Sequence, residues 1–334
     1  MTSILVRAPQ WLGDAVVSTL FLSRLREREK SSTITVLTEP ALAPLYKAHP
    51  AVNGLLLLSY RNGGSLLQQS RRIKEGGFDV VYILPRSLRT ALEAWLAGIP
   101  QRIGFEGDGR RFFLTQAVSA DARLAYPLRY LKLIGDEGAS LDGVSPFFPQ
   151  AEPTEEEQRR IFGAAWRDVK KPILGLAPAS IAPARTWAPE RFAEVAAYFL
   201  KQYGGTVLLF GSEREKAATS RVKSLVHGPV IDTAGLLSLP HLGWTVAQCQ
   251  QLVVNDSGIM HVASAFNVPT VVLFGASNPT AALPLHGRFQ AIQHNEVPCV
   301  PCLRNYCVRF GDHHKECLRK ITSEEVAAAL ARFR

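Results

Sequence analysis

The sequence predicts an α/β protein built from two Rossmann-like domains facing each other across a cleft. Three observations carry this expectation. The chain has 334 residues, past the size at which a single core usually keeps growing. Short apolar runs alternate with helical periodicity through both halves, the pattern of parallel sheets covered by helices on both faces. A proline-marked break at Pro146, Pro149 and Pro153 separates the two series. The expected division is a first domain over 1–150, a linker with one helix over 151–171, and a second domain over 172–334.

In the first half, residues 3–8 read as a strand. Residues 14–28 read as a helix, with Val16, Val17, Leu20, Phe21, Leu22 and Leu25 on or near one face. Strands follow at 33–37, 52–58 and 79–84, and helices at 42–48, 66–74 and 88–96. The basic, Gly-rich stretch 104–120 reads as an exposed loop. After the break, one helix is expected over about 154–168. Strands are then expected at 172–177, 206–210, 230–232, 252–255 and 270–274. Helices are expected at 189–203, 213–226, 239–249, 257–266 and 322–333. Pro189 falls in the first turn of its helix, where a missing N–H costs nothing.

An apolar share of 47% and a charged share of 20% are globular proportions. The formal net charge of +9 favours anionic partners: nucleic acid, an acidic membrane surface or a phosphorylated substrate. Much of that charge lies in residues 58–135, which hold twelve Lys and Arg, among them Arg61, Arg110 and Arg111, against six acids. No apolar run approaches the roughly 20 residues of a membrane helix. The first residues lack a cleavable signal pattern, and a cytoplasmic protein is expected. Four of the five cysteines, Cys299, Cys302, Cys307 and Cys317, fall close together with His313 and His314 between them. That spacing leaves two readings open, a zinc-type ligand set or a structural brace.

Four segments fall at the carboxyl ends of expected strands, where ligands bind in such sheets. Pro9-Gln10-Trp11-Leu12-Gly13-Asp14 ends the first strand. Asp14 is either a helix cap or a general base. The stretch from Ala177 through Ser180 to Arg185-Thr186-Trp187 offers a cation to an anionic ligand. Phe210-Gly211-Ser212-Glu213-Arg214-Glu215 places acids for hydroxyl groups, or merely for a helix dipole. Asn255-Asp256-Ser257-Gly258-Ile259-Met260-His261 follows an apolar strand and opens a helix whose free N–H groups suit a diphosphate. Phe274-Gly275-Ala276-Ser277-Asn278-Pro279 makes a further small-residue turn. No P-loop, no G-x-G-x-x-G after the first strand and no D-x-D pair is present, which counts against an NTPase, a standard dinucleotide enzyme and a metal-bridged nucleotide sugar.

These segments, in this order, resemble the family 9 glycosyltransferases, the ADP-heptose:lipopolysaccharide heptosyltransferases, over nearly the whole chain. The sharpest likeness is Asn255 to Ala263 joined to Leu273 to Pro279. The tail Pro298-Cys299-Val300-Pro301-Cys302, then Cys307, Cys317-Leu318 and Ile321-Thr322, is most like that of the second heptosyltransferases. The resemblance implies a glycosyltransferase B fold and inverting transfer from ADP-heptose to the heptose/Kdo inner core of lipopolysaccharide, with no metal or other cofactor. It implies Asp14 as the acceptor-activating base and Arg185 as the phosphate-binding cation, with Ser180, Glu215, Asp256, Ser257, Gly258 and His261 at the donor. The basic first domain, through Arg61, Arg110 and Arg111, is then expected to hold the acceptor and to touch the anionic inner membrane. Alternatives are a family 9 transferase of another nucleotide sugar, or a non-catalytic sugar-nucleotide binder. Nucleic acid is not an expected partner, because no reading motif accompanies the basic residues.

Overall fold

A computed structural model describes residues 1–58, 65–121, 124–136, 138, 140–141, 144–163 and 169–333. The chain divides into two compact units, Met1–Pro149 and Gln150–Arg334.

The first unit holds strands β1 Ser3–Arg7, β2 Thr33–Thr38, β3 Gly54–Leu57, β4 Val80–Ile83, β5 Gln101–Phe105 and β6 Gln116–Val118. They pair in parallel in the order β3-β2-β1-β4-β5-β6, the doubly wound arrangement of nucleotide-binding sheets. The helices are α1 Leu12–Arg28, α2 Ala43–Lys47, α3 Leu66–Glu75, α4 Leu88–Leu96 and α5 Tyr126–Leu131. Central β1 is apolar because both its faces are covered: Ile4, Leu5 and Val6 are all buried. Leu5, Val81 and Ile83 pack on Ala91 and Ala94 of α4.

The stretch 104–120 is not an exposed loop. It contains the end of β5, a 3₁₀ turn at Arg110–Phe113 and the short strand β6. Arg110, and Arg102 just before the stretch, hid this, because they read as solvated and are spent on backbone carbonyls instead. Arg102 Nε donates to Phe113 O. Arg110 is only 1% exposed, and its guanidinium donates to Pro85 O, Glu106 O and Gly107 O. Arg110 therefore cannot present itself to an acceptor. Arg111 is exposed, and Arg61 lies outside the described residues.

The second unit takes in the expected linker helix. Ala151 N donates to Pro240 O, and Phe162 packs against Trp244. That helix, α6 Glu155–Phe162, starts at a Thr154–Glu157 capping box and stops at Gly163 in a left-handed φ of 67°; residues 164–168 lie outside the described residues. The sheet comprises β7 Ile173–Ala177, β8 Thr206–Leu209, β9 Val230–Asp232, β10 Gln251–Asn255, β11 Thr270–Leu273 and β12 Phe289–Ile292, all parallel, in the order β12-β11-β10-β7-β8-β9. Around it run α7 Pro189–Tyr203, α8 Lys216–Leu225, α9 Leu239–Ala247, α10 Gly258–Ala265, α11 Pro279–Ala282, α12 Glu316–Arg319 and α13 Ser323–Ala331. The same winding thus occurs twice. The closing helix α13 packs Val326 and Leu330 into a core with Trp187, Phe192, Phe199 and Leu273. Edge strand β12 was not legible: all four residues are only partly buried, so no apolar run marks it. Among the described residues, no helix is long and apolar enough to cross a membrane.

One buried ion pair stands at the carboxyl end of β1. Arg7 and Glu93 approach to 3.6 Å with side chains 3% and 1% exposed, and Arg89 reaches the second Glu93 oxygen at 3.4 Å. Burial pushes the Glu93 carboxyl up to about 7, while Arg7 pulls it back down. Removing one partner of such a pair strands the other charge in a dry interior. Glu93→Ala should therefore cost on the order of 3 kcal/mol of unfolding free energy. Urea titration measures it, and a loss under about 0.5 kcal/mol would match a surface pair instead.

Candidate active site

Asp14 does not cap a helix. Helix α1 begins two residues before it, with Trp11 at the N-cap position making no side-chain capping bond. Asp14 is a half-buried acid of the first helical turn. Two buried phenols feel its charge. Tyr46 bonds to Ser18 Oγ at 3.0 Å. Burial first, and Asp14 second among the raising influences, lift both Tyr46 and Tyr130 above the ordinary tyrosine range. The charge of Asp14 thus reaches two buried phenols.

In the second unit, the turns after β7, β10 and β11 converge. Asn255 ends β10 fully buried. Its Oδ1 accepts from Trp187 N at 3.0 Å, and its Nδ2 donates to Ala177 O at 3.4 Å. The Trp187 indole N–H reaches Ile321 O at 3.1 Å. These bonds fix both ends of the 178–186 loop. Within that loop, Ser180 Oγ donates to Asp256 O at 3.2 Å.

Arg185 Nη1 lies 3.2 Å from Asp256 Oδ2, with side chains 32% and 6% exposed. The same Asp256 oxygen accepts a short bond from Ser277 Oγ. Ser277 is held in turn, since Gln293 Nε2 donates to its carbonyl at 2.7 Å. A carboxylate bound from two sides aims the guanidinium. Arg185 Nε is buried without a hydrogen-bond partner among the described residues, so the fork has an unused donor. Ser257 opens α10 in extended backbone, and its hydroxyl makes no capping bond. Ser257 and Gly258 are partly exposed. Hydroxyl, helix-start N–H groups and guanidinium are the kinds of group that suit an anion.

Other expected donor residues behave differently. His261 is 8% exposed, and burial lowers its imidazole to about 4, so at neutral pH it is an uncharged interior ring and no phosphate cation. Glu215 accepts from both Ser212 N and Ser212 Oγ at 2.7 Å, a capping box that starts the turn before α8. Two contributors had no assigned role in the sequence: Asn255 and Ser277. A lone polar residue at the end of a buried strand was the available signal for the first.

The thiols of Cys299, Cys302 and Cys307 all lie within electrostatic reach of Cys317. Among the described residues, no three His, Cys, Asp or Glu side chains are placed to hold a metal ion, and all five cysteines are free thiols. Cys317 is buried in the core with Leu318. A Cβ on Gly275 would lie 3.0 Å from Cys317 Sγ and 2.8 Å from Leu318 Cγ. The tail therefore braces the turn that carries Ser277.

The doubly repeated parallel sheet is a nucleotide-binding architecture, and comparison places it among the glycosyltransferases. The glycosyltransferase family 9 (heptosyltransferase) model matches residues 66–311. Lipopolysaccharide heptosyltransferase 2 of Escherichia coli K12 is 30% identical over 306 residues, covering 87% of each chain. The lipooligosaccharide heptosyltransferase 2 of Haemophilus influenzae is 26% identical over 87% of this chain and 88% of its own. The solved E. coli ADP-heptose lps heptosyltransferase II superposes with a TM-score of 0.79 at 27% identity, covering 100% of this chain and 98% of that one. This chain belongs to glycosyltransferase family 9.

Two outcomes test the site. Arg185→Ala removes a charge-assisted bond and should weaken ADP binding about ten- to a hundredfold by calorimetry; unchanged affinity would place the diphosphate elsewhere. The depressed His261 imidazole favours the folded state wherever the unfolded ring is protonated least. Its contribution is complete above pH 6.5 and is lost as pH falls toward about 4. His261→Leu should therefore flatten the acid loss of stability in that window by on the order of 2–3 kcal/mol, read from denaturation curves at each pH.

Proposed function

We propose that this enzyme transfers a heptose from ADP-heptose to the inner core of lipopolysaccharide with inversion. The observation that carries the reading is the Arg185–Asp256–Ser277 cluster beside the start of α10, joined to the names of the relatives above. The donor's diphosphate would lie against Arg185, Ser257 and Gly258. Asp256, bonded to Ser277, would hold Arg185 in place, and Ser180 would steady the turn.

The acceptor hydroxyl attacks the anomeric carbon from the face opposite the diphosphate. Its proton passes to the Asp14 carboxylate as the new C–O bond forms. The bond to the β-phosphate oxygen breaks, and ADP leaves with the electron pair. Charge growing on that oxygen meets Arg185 and the helix-start N–H groups. The cation in this scheme is a side chain, so a chelator leaves turnover unchanged. Arg111 remains an exposed candidate for acceptor phosphates. The acceptor is lipid-borne, which places the enzyme peripherally on the cytoplasmic side of the inner membrane.

Asp14→Asn keeps the shape and removes the base. Turnover should drop about 10²- to 10⁴-fold while ADP affinity stays at the wild-type value. Near-normal turnover would return Asp14 to an ordinary first-turn acid.

A further inference from the structure

The loop Leu303-Arg304-Asn305-Tyr306-Cys307-Val308-Arg309-Phe310 turns its apolar side chains outward. Leu303 is 67% exposed, Tyr306 70%, Val308 54% and Phe310 86%. Four large apolar groups exposed within eight residues are uncommon on a protein that meets only water.

The loop is tied down while these side chains are left out. Leu303 N donates to Ala276 O at 2.7 Å, and Ala184 N donates to Asn305 O at 2.9 Å. Lys315 N donates to Cys307 Sγ at 3.3 Å, and Arg309 Nη1 lies 3.7 Å from Cys299 Sγ. His314 Nδ1 bonds Arg309 O at 3.0 Å. Exposure of the apolar groups therefore belongs to an anchored backbone.

Charge says what covers them. Residues 303–310 hold two arginines and no acid, and residues 303–320 hold five Lys and Arg against two acids. Arg304, Arg319 and Lys320 are exposed. Apolar and aromatic groups interleaved with cations match the boundary between acyl chains and phosphate headgroups. Neither signal alone holds a protein to a bilayer firmly, and the two together do.

We propose that residues 303–310 are a docking finger for an anionic lipid surface. Leu303, Tyr306, Val308 and Phe310 enter the interfacial layer, and Arg304 with its basic neighbours meets headgroup phosphates. The proposal rests on the reading that the acceptor is lipid-borne. It deepens that reading, because the finger is bonded at Ala184 and Ala276, next to Arg185 and Ser277. A docked finger thus holds the donor turns at the membrane surface. The basic stretch of the first unit, by contrast, spends Arg102 and Arg110 on its own carbonyls.

The test uses the full chain and flotation with vesicles of phosphatidylethanolamine and phosphatidylglycerol, against vesicles of phosphatidylcholine. Wild type should bind the anionic vesicles, less so as salt is added. The double variant Tyr306→Ser, Phe310→Ser should bind at least about tenfold more weakly, with an unchanged melting curve because neither side chain is buried. Arg304→Ser should reduce the preference for anionic lipid. ADP affinity and transfer to a delipidated, soluble acceptor should stay at wild-type values in the double variant, while transfer to acceptor embedded in vesicles falls. Wild type that ignores anionic vesicles, or a double variant that binds them equally well, overturns the proposal. So does a variant that changes only the sedimentation coefficient, since a second copy of the chain would then be what covers the finger. Failure of wild type on the soluble acceptor would sink the heptosyl-transfer reading and leave vesicle binding to decide the finger by itself.

Discussion

The carboxamide of Asn255 joins the sheet of the second unit to its chemistry. It sits with no exposure at the end of β10 and bonds the backbone on both sides of the loop that carries Arg185. A buried amide can remain there only if its donors and acceptor are used, and leaving one unsatisfied costs about 1–3 kcal/mol. Those bonds place Ala177 and Trp187, and with them the turn of Ser180 and Arg185. The next residue, Asp256, is consequently presented to the guanidinium. The Arg185–Asp256 pair, and with it the proposed anion site, follows from a packing requirement one residue upstream.

Asp256 then decides what Arg185 can do. A guanidinium alone on a loop would spread over many rotamers, and ordering it on binding would cost side-chain entropy. The shared carboxylate, gripped also by Ser277, holds it oriented beforehand, and in the proposed reaction such preorganisation would stabilise the leaving group without rearrangement. Gln293, Gly275 and the buried Cys317 support Ser277 from beneath. The cysteine-rich tail thus contributes to the site through packing. Its unburied part, the 303–310 loop, leaves that structural task and faces outward.

The basic residues divide on the same principle. A charge beside unsatisfied carbonyls is drawn inward and becomes structure, as with Arg110 and Arg102. Other cations stay in water, as with Arg111 and Arg304. Net charge drew attention to residues 58–135, yet local hydrogen bonding determines which of them can meet a ligand.

The sequence by itself determined the two-unit α/β architecture, nearly every central strand and the family, because strand runs such as 252–255 and 270–274 and the Asn255-to-Ala263 turn are local patterns. It also singled out Arg185, Asp256 and Ser257 as expected donor residues, of which the structure pairs the first two. Elements with weak local signal escaped it: β6 is three residues long, and β12 is only partly buried throughout. Tertiary structure alone decided that Arg110 is interior, that His261 is a neutral core ring and that Glu215 caps a turn. It alone joined Ser277 to Asp256 across 21 residues. Each of those depends on which backbone groups lie near a side chain once the sheets have wound, and that proximity is not written in neighbouring residues.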